Sequence, residues 1–364
     1  MSKKKVLLAM SGGLDSSIAA MLLLEQGYEL VGATFRTWDY ISESCLNKNT
    51  GCCSIEAIGD AAAFAESLGF SHHVLDLRNE FRNVVISNFV KSYVGGTTPN
   101  PCVICNAYIK WGLMLDFAHN QGCDFIATGH YAGIRQYGDR FVLINAVDNA
   151  KDQTYFLWQL TSEQLSKTLF PLHGLSKEKV RKIAFDEGLV SLSKKRESQE
   201  ICFIPDNNYS GFIQKEFSTE VKDIGNGDVL DASGKIIGKH KGYFNYTIGQ
   251  RKGLGVAVGR PVYVTAIDSF RNTITIGDKE DLLTQEIMVE DMNLNKFEEI
   301  PNEFSADVKI RYNTHRVSAR IKKLKNGCVV KFDTPVSAAT PGQSAVFYQG
   351  DECIGGGVIC NSLK

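Results

Sequence analysis

Short aliphatic runs alternate with helix-length segments along the first 206 residues of the chain. This alternation is typical of a parallel sheet whose strands are joined by helices. The predicted strands are Val6–Met10, Glu29–Phe35, His73–Asp76 and Phe125–Thr128, and the predicted helices are Ser17–Gln26, Ile55–Leu68, Asn79–Tyr93 and Tyr108–Gln121. Ligands bind beyond the carboxyl ends of such strands, so the segments after Met10, Phe35 and Thr128 are expected to converge.

From residue 207 onward the pattern changes to short alternating strands and frequent turns. Asn226-Gly227-Asp228 and Ala232-Ser233-Gly234-Lys235 predict hairpin turns. An antiparallel barrel or sandwich is predicted from the later strands, which are Ala306–Tyr312, Val317–Ile321, Val329–Phe332 and Ala345–Tyr348. The predicted fold class is therefore α/β: a doubly wound parallel-sheet domain over 1–206, followed by two smaller β-rich domains over 207–280 and 281–364.

The 364 residues include 40 Lys and Arg against 41 Asp and Glu. A nucleic-acid partner would have to bind a local basic face, because the net charge offers no general attraction. Ten cysteines without a secretory signal favour thiol or metal chemistry over a disulfide framework. Apolar stretches such as Ile18–Leu24 are shorter than the roughly 20 residues that a bilayer requires. We expect a cytoplasmic protein with no membrane partner.

The strongest motif is Ser11-Gly12-Gly13-Leu14-Asp15-Ser16-Ser17, between the first strand and the first helix. Glycines let the backbone approach an anion, while N–H groups at the helix start and the hydroxyls donate to phosphate oxygens. The motif is neither a Walker loop nor a dinucleotide fingerprint. Asp15 would repel phosphates unless it holds Mg²⁺, which is its predicted role. The alternative is a glycine-rich turn capped by serine and aspartate.

Two cysteine motifs supply candidate nucleophiles. Cys102 and Cys105 follow the proline pair Pro99 and Pro101, and Cys202 follows the basic run Lys194-Lys195-Arg196. Cationic neighbours and helix starts lower a thiol pKa and so favour the reactive thiolate, which gives Cys202 a candidate activator. The alternative is that Cys202 is a small buried apolar residue between Ile201 and Phe203.

The glycine loop resembles the signature of the PP-loop ATP pyrophosphatases, which cleave ATP between its α and β phosphates. Further motifs extend the resemblance over essentially the whole chain; they are Thr128–Tyr131, Lys151–Leu157, Gly249–Gly255 and Thr340–Val346, together with the two cysteine motifs. In this combination and order the chain resembles the tRNA-specific 2-thiouridylases of the MnmA type.

The resemblance implies that ATP adenylates the carbon-2 oxygen of the wobble uridine and that sulfur then replaces this oxygen. Cys202 would accept sulfur from an upstream donor as a persulfide. Cys105 would be the nucleophile that helps deliver it and could close a transient disulfide with Cys202. The implied nucleotide-binding residues are Ala9, Met10, Ser11, Gly12, Gly13, Leu14, Asp15, Ser16, Phe35 and Gly129. The implied tRNA-binding residues are Asn100, Pro101, Cys102, His130, Lys151, Asp152, Gln153, Arg311, Tyr312 and Gln343. Asn100, Pro101 and Cys102 would face a uridine extruded from its stack.

The chain departs from that family at two places. Cys102 stands where most relatives have an acidic residue, and Gln199-Glu200 replaces Thr-Gly before Ile201. With Cys102 the chain has three thiols in these motifs. Cys102, Cys105 and Cys202 are therefore candidate ligands of a [4Fe–4S] cluster with one open iron, which is an alternative to sulfur transfer by a persulfide.

The remaining cysteines and basic residues receive simpler assignments. We expect unliganded thiols at Cys45, Cys52 and Cys53, whose spacing lacks a zinc-type Cys-x-x-Cys pair. Core or strand positions are expected for Cys123, Cys328, Cys353 and Cys360. Candidate tRNA phosphate contacts in the β-rich domains are Lys239, Lys241, Arg251, Lys252, Arg316 and Arg320. Two alternative functions are a PP-loop ligase acting on a small molecule and a non-catalytic, zinc-holding RNA-binding module.

Overall fold

A computed structural model describes residues 3–38, 55–195, 201–204, 206–256 and 258–363. The chain folds as two compact units. The first unit comprises residues 1–85, 102–207 and 350–354, and the second comprises 86–101, 208–349 and 355–364.

The first unit is built on a five-stranded sheet with the strand order β3-β2-β1-β4-β7. Every neighbouring pair in this sheet is parallel. The strands are β1 Lys5–Ala9, β2 Glu29–Arg36, β3 Ser71–Asp76, β4 Phe125–Ala127 and β7 Thr168–Leu169. Val6, Leu7 and Leu8 are fully buried, as expected for a central strand covered on both faces.

Helices cover this sheet and supply much of the core. They are α1 Leu14–Glu25, α2 Ile55–Ser67, α3 Arg78–Phe81, α5 Pro101–Ile104, α6 Met114–Asn120, α7 Ser162–Ser166, α8 Lys177–Asp186 and α9 Val190–Lys194. π-Helical segments over Arg82–Ile86 and Cys105–Leu113 continue α3 and α5. A hairpin of β5 Gly133–Tyr137 and β6 Arg140–Ile144 is extended by Glu352 and Cys353. Within the described part of the chain, every helix is too short or too polar to traverse a bilayer.

The second unit contains α4 Ser87–Val94, α10 Tyr209–Glu216, α11 Ser218–Val221 and two β structures. A four-stranded sheet has the order β10-β11-β8-β9, from β8 Gly227–Leu230, β9 Ile236–His240, β10 Tyr263–Asp268 and β11 Thr273–Gly277. Six strands then follow the order β12-β15-β14-β13-β16-β17, and pairing of β12 with β17 closes them into a barrel. These strands are β12 Leu283–Leu294, β13 Glu303–Lys309, β14 Val317–Lys323, β15 Cys328–Ser337, β16 Ser344–Gln349 and β17 Glu352–Leu363.

This architecture confirms the predicted fold class, a parallel-sheet domain followed by β-rich domains. Two local predictions were wrong. The helix expected from Tyr108 begins at Pro101, because proline at the first helical position has no N–H that needs an intrahelical partner. Gly227 begins β8 instead of forming a hairpin turn. Glycine is required there by packing, since a Cβ would lie 1.9 Å from the Asn272 carbonyl oxygen.

Several elements have no counterpart among the predicted ones; they include the β5–β6 hairpin, β7, α7 to α11, β12 and β17. The other expected turn, Ala232–Lys235, does connect β8 to β9, and Gly234 adopts a φ of 83° in it. The division at residues 206 and 280 into three domains stays a prediction.

Candidate active site

The loop between β1 and α1 is a tight backbone turn organised by its own hydroxyl groups. The Ser11 N–H donates to Ser16 Oγ at 3.3 Å, and the hydroxyls of Ser16 and Ser17 each donate to the Gly13 carbonyl at 3.1 Å. Gly12 has a φ of 62°, and a Cβ there would lie 2.3 Å from the Ala57 carbonyl oxygen. The sequence therefore needs glycine at position 12 for conformation and for close packing.

The predicted convergence of strand ends is confirmed for the segments that follow β1 and β4. A Cβ on Gly129 would lie 2.9 Å from the Asp15 carbonyl carbon and 3.0 Å from the Ser16 nitrogen. Backbone therefore meets backbone at this point, which only glycine permits. The end of β2 joins the same region, because Thr34 Oγ1 donates to the Met10 carbonyl at 2.9 Å. Phe35, the next residue of β2, is half-buried.

Asp15 is held by two partners that the sequence analysis did not single out. Lys177 Nζ lies 2.7 and 2.8 Å from the two carboxylate oxygens, and Tyr131 donates its hydroxyl to one of them at 2.9 Å. The Lys177 side chain is only 10 % exposed. A nearly buried ammonium therefore lies at the start of the helix that follows the glycine loop.

A second lysine also contacts this loop. Lys195 donates to the Gly12 carbonyl at 2.9 Å and forms an ion pair with Asp60 at 3.3 Å. Lys195 belongs to the basic run that was expected to activate Cys202, whereas its ammonium contacts the glycine loop and Asp60. Arg196 of that run lies outside the described residues, as do Gln199 and Glu200.

The 151–153 motif is turned toward the inside of the first unit. Asp152 is buried and accepts hydrogen bonds from the Ala146 N–H at 3.0 Å and the Thr154 hydroxyl at 2.6 Å. The Gln153 side chain accepts from the Tyr131 N–H at 2.9 Å. The Gln153 side chain thus supports the strand-end segment that contains Tyr131, whereas Asp152 joins Ala146 to Thr154. Lys151 is half-buried.

The candidate nucleophiles Cys102 and Cys105 lie on one continuous helical stretch, with Cys102 exposed and Cys105 half-buried. Cys202 is exposed, and the adjacent Phe203 is fully buried against Phe81, with ring centroids 5.7 Å apart. Helix α3, which contains Phe81, packs against the 105–113 segment that begins with Cys105. The neighbour of Cys202, Phe203, thus packs on a helix that also contacts the segment beginning with Cys105. The alternative that Cys202 is a small buried apolar residue is wrong, because Cys202 is exposed and Phe203 is the buried residue.

Lys110, on the same helical stretch, was also missed by the sequence analysis, and it acts on both Cys102 and His130. Desolvation raises the pKa of the Cys102 thiol, and the positive charge of Lys110 opposes this effect. Lys110 Nζ lies 3.5 Å from His130 Nε2, and Thr128 Oγ1 lies 2.7 Å from Nδ1. Burial, with a smaller effect of Lys110, holds the His130 pKa well below its usual range. His130 is therefore neutral at pH 7, with the Nδ1 proton assigned from these partners.

The side chains predicted as metal ligands lie in the described part of the chain. Among the described residues no group of three or more His, Cys, Asp or Glu side chains is arranged to hold a metal ion. Cys102, Cys105 and Cys202 belong to the described residues, so they do not form a preformed cluster site. Both Asp15 oxygens are already within hydrogen-bond distance of Lys177. In the described part of the chain the Asp15 carboxylate is therefore paired with an ammonium, and its role in holding Mg²⁺ stays a prediction.

Two of the expected tRNA-binding residues in the second unit have partners within that unit. Gln343 Nε2 donates to the Thr98 and Pro99 carbonyls at 3.0 and 2.9 Å. Arg311 donates to the Ile248 carbonyl at 3.0 Å and to the Thr340 hydroxyl at 2.6 Å. Tyr312 is half-buried, with the Lys309 ammonium 5.2 Å from its ring centroid. Asn100 is half-buried and Pro101 is buried.

The candidate phosphate contacts differ in solvent exposure and in the partners of their charged groups. Lys241, Arg251 and Lys252 are exposed. Lys239 pairs with Asp228 at 2.6 Å, and Arg320 pairs with Glu303 at 3.3 Å. The Arg316 guanidinium lies 3.5 Å from the centroid of the Tyr348 ring.

Of the other cysteines, Cys328 and Cys353 are buried as expected, while Cys123 and Cys360 are half-buried. Burial, together with the nearby Cys360, raises the pKa of Cys328 to about 12. The Cys328 thiol is therefore poorly suited to nucleophilic chemistry. Cys45, Cys52 and Cys53 lie outside the described residues.

A parallel sheet with this glycine loop between its first strand and first helix defines the first unit as a nucleotide-binding domain of the PP-loop class. Family models match the three successive regions: a tRNA methyl transferase HUP domain over 4–206, a tRNA methyl transferase PRC-barrel domain over 211–278 and an aminomethyltransferase beta-barrel domain over 284–359. A tRNA-specific 2-thiouridylase MnmA from Cytophaga hutchinsonii is 46% identical over 366 residues, covering 100% of both chains. One from Amoebophilus asiaticus is also 46% identical, covering 100% of this chain and 97% of the relative. The chain belongs to the MnmA family of tRNA-specific 2-thiouridylases.

This membership confirms the recognised family and the enzyme class, a tRNA sulfurtransferase of the PP-loop ATPase type. Among solved structures, a 4-thiouridine synthetase in complex with RNA and bound ATP is 18% identical. The match has a TM-score of 0.38 and covers 60% of this chain and 51% of that one. Similarity at that level is weak, so the fold assignment rests on the family models and on the sheet itself.

Proposed function

We propose that the protein uses ATP to replace the carbon-2 oxygen of a tRNA wobble uridine by sulfur, with Cys202 as the persulfide carrier. The observation that supports this most directly is that one compact unit contains both the PP-loop and the three cysteines Cys102, Cys105 and Cys202. Gly129 and Lys177 contact the start of the helix that follows this loop. The small-molecule ligase alternative is not favoured, since the similarity to tRNA-specific 2-thiouridylases extends over the full chain.

The first step activates the uridine. Its carbon-2 oxygen attacks the α-phosphorus of ATP, the bond to the bridging oxygen of the β-phosphate breaks, and pyrophosphate leaves. The N3 proton is lost to the surroundings, so the oxygen becomes an adenylate. The N–H groups of residues 11–16 and the ammonium of Lys177 would stabilise the charge that develops on the leaving phosphates.

The second step transfers sulfur. The terminal sulfur of a Cys202 persulfide attacks carbon 2 and AMP leaves, which joins the uridine to Cys202 through two sulfurs. The Cys105 thiolate then attacks the Cys202 sulfur and releases 2-thiouridine, with a Cys105–Cys202 disulfide as the two-electron oxidation product. A dithiol reductant must reopen this disulfide, and a persulfide donor must reload Cys202.

Cys102 has a different role from the acidic residue that it replaces. Because its pKa is raised, the Cys102 thiol stays protonated at pH 7, so it is assigned no nucleophilic step. Contacts of Asn100 and Pro101 with the uridine stay predictions. Neutral His130, with Lys110 beside it, is the better candidate to face the uridine edge. Lys151 and Tyr312 remain proposed tRNA contacts, the first for phosphate and the second for stacking.

Mg²⁺ and the [4Fe–4S] cluster enter no step. Mg²⁺ would arrive on the ATP phosphates, where it neutralises charge, and Asp15 would have to release Lys177 to bind it. The thiols of Cys102, Cys105 and Cys202 do not form a ligand set, which favours the persulfide route. A cytoplasmic location and an upstream persulfide donor stay predictions.

The proposed function is tested by incubating the protein with ATP, Mg²⁺, a persulfide donor and unmodified tRNA. We expect AMP, pyrophosphate and 2-thiouridine in equal amounts, with each product dependent on tRNA. Pyrophosphate release triggered by a small amine without tRNA, with no thiolated nucleoside, would support the ligase alternative instead. Preparation without oxygen, followed by iron and sulfide measurement, tests the cluster separately.

A further inference from the structure

Lys195 lies at the edge of the glycine loop, and its ammonium makes two contacts there. Nζ donates to the Gly12 carbonyl at 2.9 Å and lies 3.3 Å from a carboxylate oxygen of Asp60. Asp60 is on α2, three residues after Ala57, whose carbonyl packs against Gly12 so closely that a Cβ there would lie 2.3 Å away. The lysine therefore joins the first turn of the loop to the helix that packs against it.

The backbone on either side of this contact is held by α8. Arg181 donates to the Ser193 carbonyl, and its two terminal nitrogens lie 3.4 and 3.5 Å from the Lys195 carbonyl oxygen. Arg181 is four residues after Lys177 on α8, so the two side chains project from one face of the helix. Lys177 contacts Asp15 at the start of α1. One helix thus brings two ammonium groups to the glycine loop, one directly and one through Arg181.

The Lys195 ammonium is suited to bind a further anion. An ammonium has three N–H donors, and within the described part of the chain Lys195 directs them at two acceptors. The side chains of Lys195 and Asp60 are 42% and 58% exposed, and an ion pair at that exposure adds little stability. Lys195 can therefore exchange Asp60 for a phosphate at little cost.

The neighbouring groups indicate which anion this is. The N–H groups of the loop and of the start of α1 are the proposed phosphate donors, and an ammonium beside them adds a full positive charge. Most of the negative charge of ATP lies on the β- and γ-phosphates, which stay together as pyrophosphate. A lysine at the edge of the loop is matched to that part of the nucleotide.

We propose that Lys195 is a phosphate-binding residue, which contacts the β- and γ-phosphates of ATP and stabilises the pyrophosphate as it leaves. The inference rests on the proposed function, since it assigns Lys195 to the adenylation step. In that step the bond between the α-phosphorus and the bridging oxygen breaks, and its electron pair moves to the pyrophosphate. An ammonium placed there stabilises the products of this charge shift more than the bound ATP.

The test compares Lys195→Met with Lys194→Met, which alters the exposed neighbour. Methionine is a long unbranched side chain without the charge. The Kd values of ATP, pyrophosphate and AMP are measured with Mg²⁺ and without tRNA. For Lys195→Met we expect ATP and pyrophosphate to bind about tenfold or more weakly, the effect of losing one hydrogen bond between charged groups, while the AMP Kd stays within about twofold. Lys194→Met should match the wild type.

Two results of this comparison would overturn the inference. The first is wild-type affinity of Lys195→Met for ATP and pyrophosphate. The second is an equal loss of affinity for AMP, because Lys195 would then support the whole nucleotide pocket instead of contacting the leaving phosphates.

Asp60→Asn separates phosphate binding from the ion pair. Asparagine keeps an acceptor for Lys195 but removes a negative charge from the neighbourhood of the phosphates. This variant should bind ATP at least as tightly as the wild type. Weaker ATP binding would show that the ion pair itself shapes the loop, and it would contradict the inference.

Thermal unfolding supplies a readout that does not depend on activity. Without nucleotide, the Tm of Lys195→Met should stay within about 2 °C of the wild type, because the lost ion pair is exposed. The Tm increase caused by ATP should be smaller in Lys195→Met, and an equal increase would contradict the inference. If the wild type binds ATP and pyrophosphate but forms no 2-thiouridine, the proposed function fails while the assignment of Lys195 to the phosphates stands.

Discussion

Lys177 places its ammonium 2.7 and 2.8 Å from the two carboxylate oxygens of Asp15, which lies in the first turn of the helix that follows the glycine loop. The two residues are 162 positions apart in the sequence. A nearly buried ammonium beside the loop is well suited to bind the phosphates of ATP, because Coulomb attraction is strong where water is scarce.

Replacement of Lys177 should therefore impair the first chemical step. We expect Lys177→Ala to lower tRNA-dependent pyrophosphate release by about a hundredfold, the usual cost of removing one preorganised donor from a developing charge. Lys182→Ala is a matched control, since Lys182 lies on the same helix and is 72% exposed. Normal pyrophosphate release by Lys177→Ala would remove Lys177 from the nucleotide site.

Gly12 in the glycine loop and Gly27 after the first helix should differ in the unfolding free energy that each loses when it is replaced by alanine. Gly12 and Gly27 have φ values of 62° and 85°, but only Gly12 is packed against another backbone. Gly27→Ala should cost about 1 kcal/mol of unfolding free energy for its left-handed conformation alone. Gly12→Ala should cost about 3 kcal/mol through the added clash with Ala57, and it should abolish ATP binding. Equal denaturant midpoints for the two variants would contradict this account.

Three wholly or partly buried histidines predict a pH dependence of stability. The pKa values of His72, His130 and His240 are lowered, mainly by burial. A lowered folded pKa means that stability is complete above the unfolded value of about 6.5 and is lost as the pH falls below it. Tm should decrease from about pH 7.5 to about pH 5.5, and by less in His130→Gln than in the wild type. A slope in His130→Gln equal to that of the wild type would contradict the assignment.

The sulfur step predicts a trapped intermediate. In Cys105→Ser no thiolate is available to attack the Cys202 sulfur, so the tRNA should remain joined to Cys202 through two sulfurs after one turnover. Denaturing gels should then show a tRNA–protein adduct that a thiol reductant removes. Cys123→Ser, at a half-buried thiol outside the proposed site, should show no adduct. Normal release of 2-thiouridine by Cys105→Ser would exclude Cys105 as the releasing nucleophile.

The features that the sequence predicted correctly have local causes. Aliphatic runs such as Val6–Leu8 form strands wherever helices cover them, and the glycine loop specifies its own turn. Pro101 could have been predicted as a helix start, because proline is favoured at that position. The contacts of Lys177 with Asp15 and of Gln343 with Thr98 join residues 162 and 245 positions apart, so no local pattern indicates them. The tRNA-binding roles that the resemblance implies for Asp152 and Gln343 stay predictions.

Sulfur transfer through Cys202 is tested most directly by a variant that keeps adenylation of the uridine but lacks the sulfur carrier. Cys202→Ser should release tRNA-dependent pyrophosphate at a rate close to that of the wild type, because adenylation needs no thiol, and should form no 2-thiouridine. A Cys202→Ser protein that still thiolates tRNA would contradict the persulfide account.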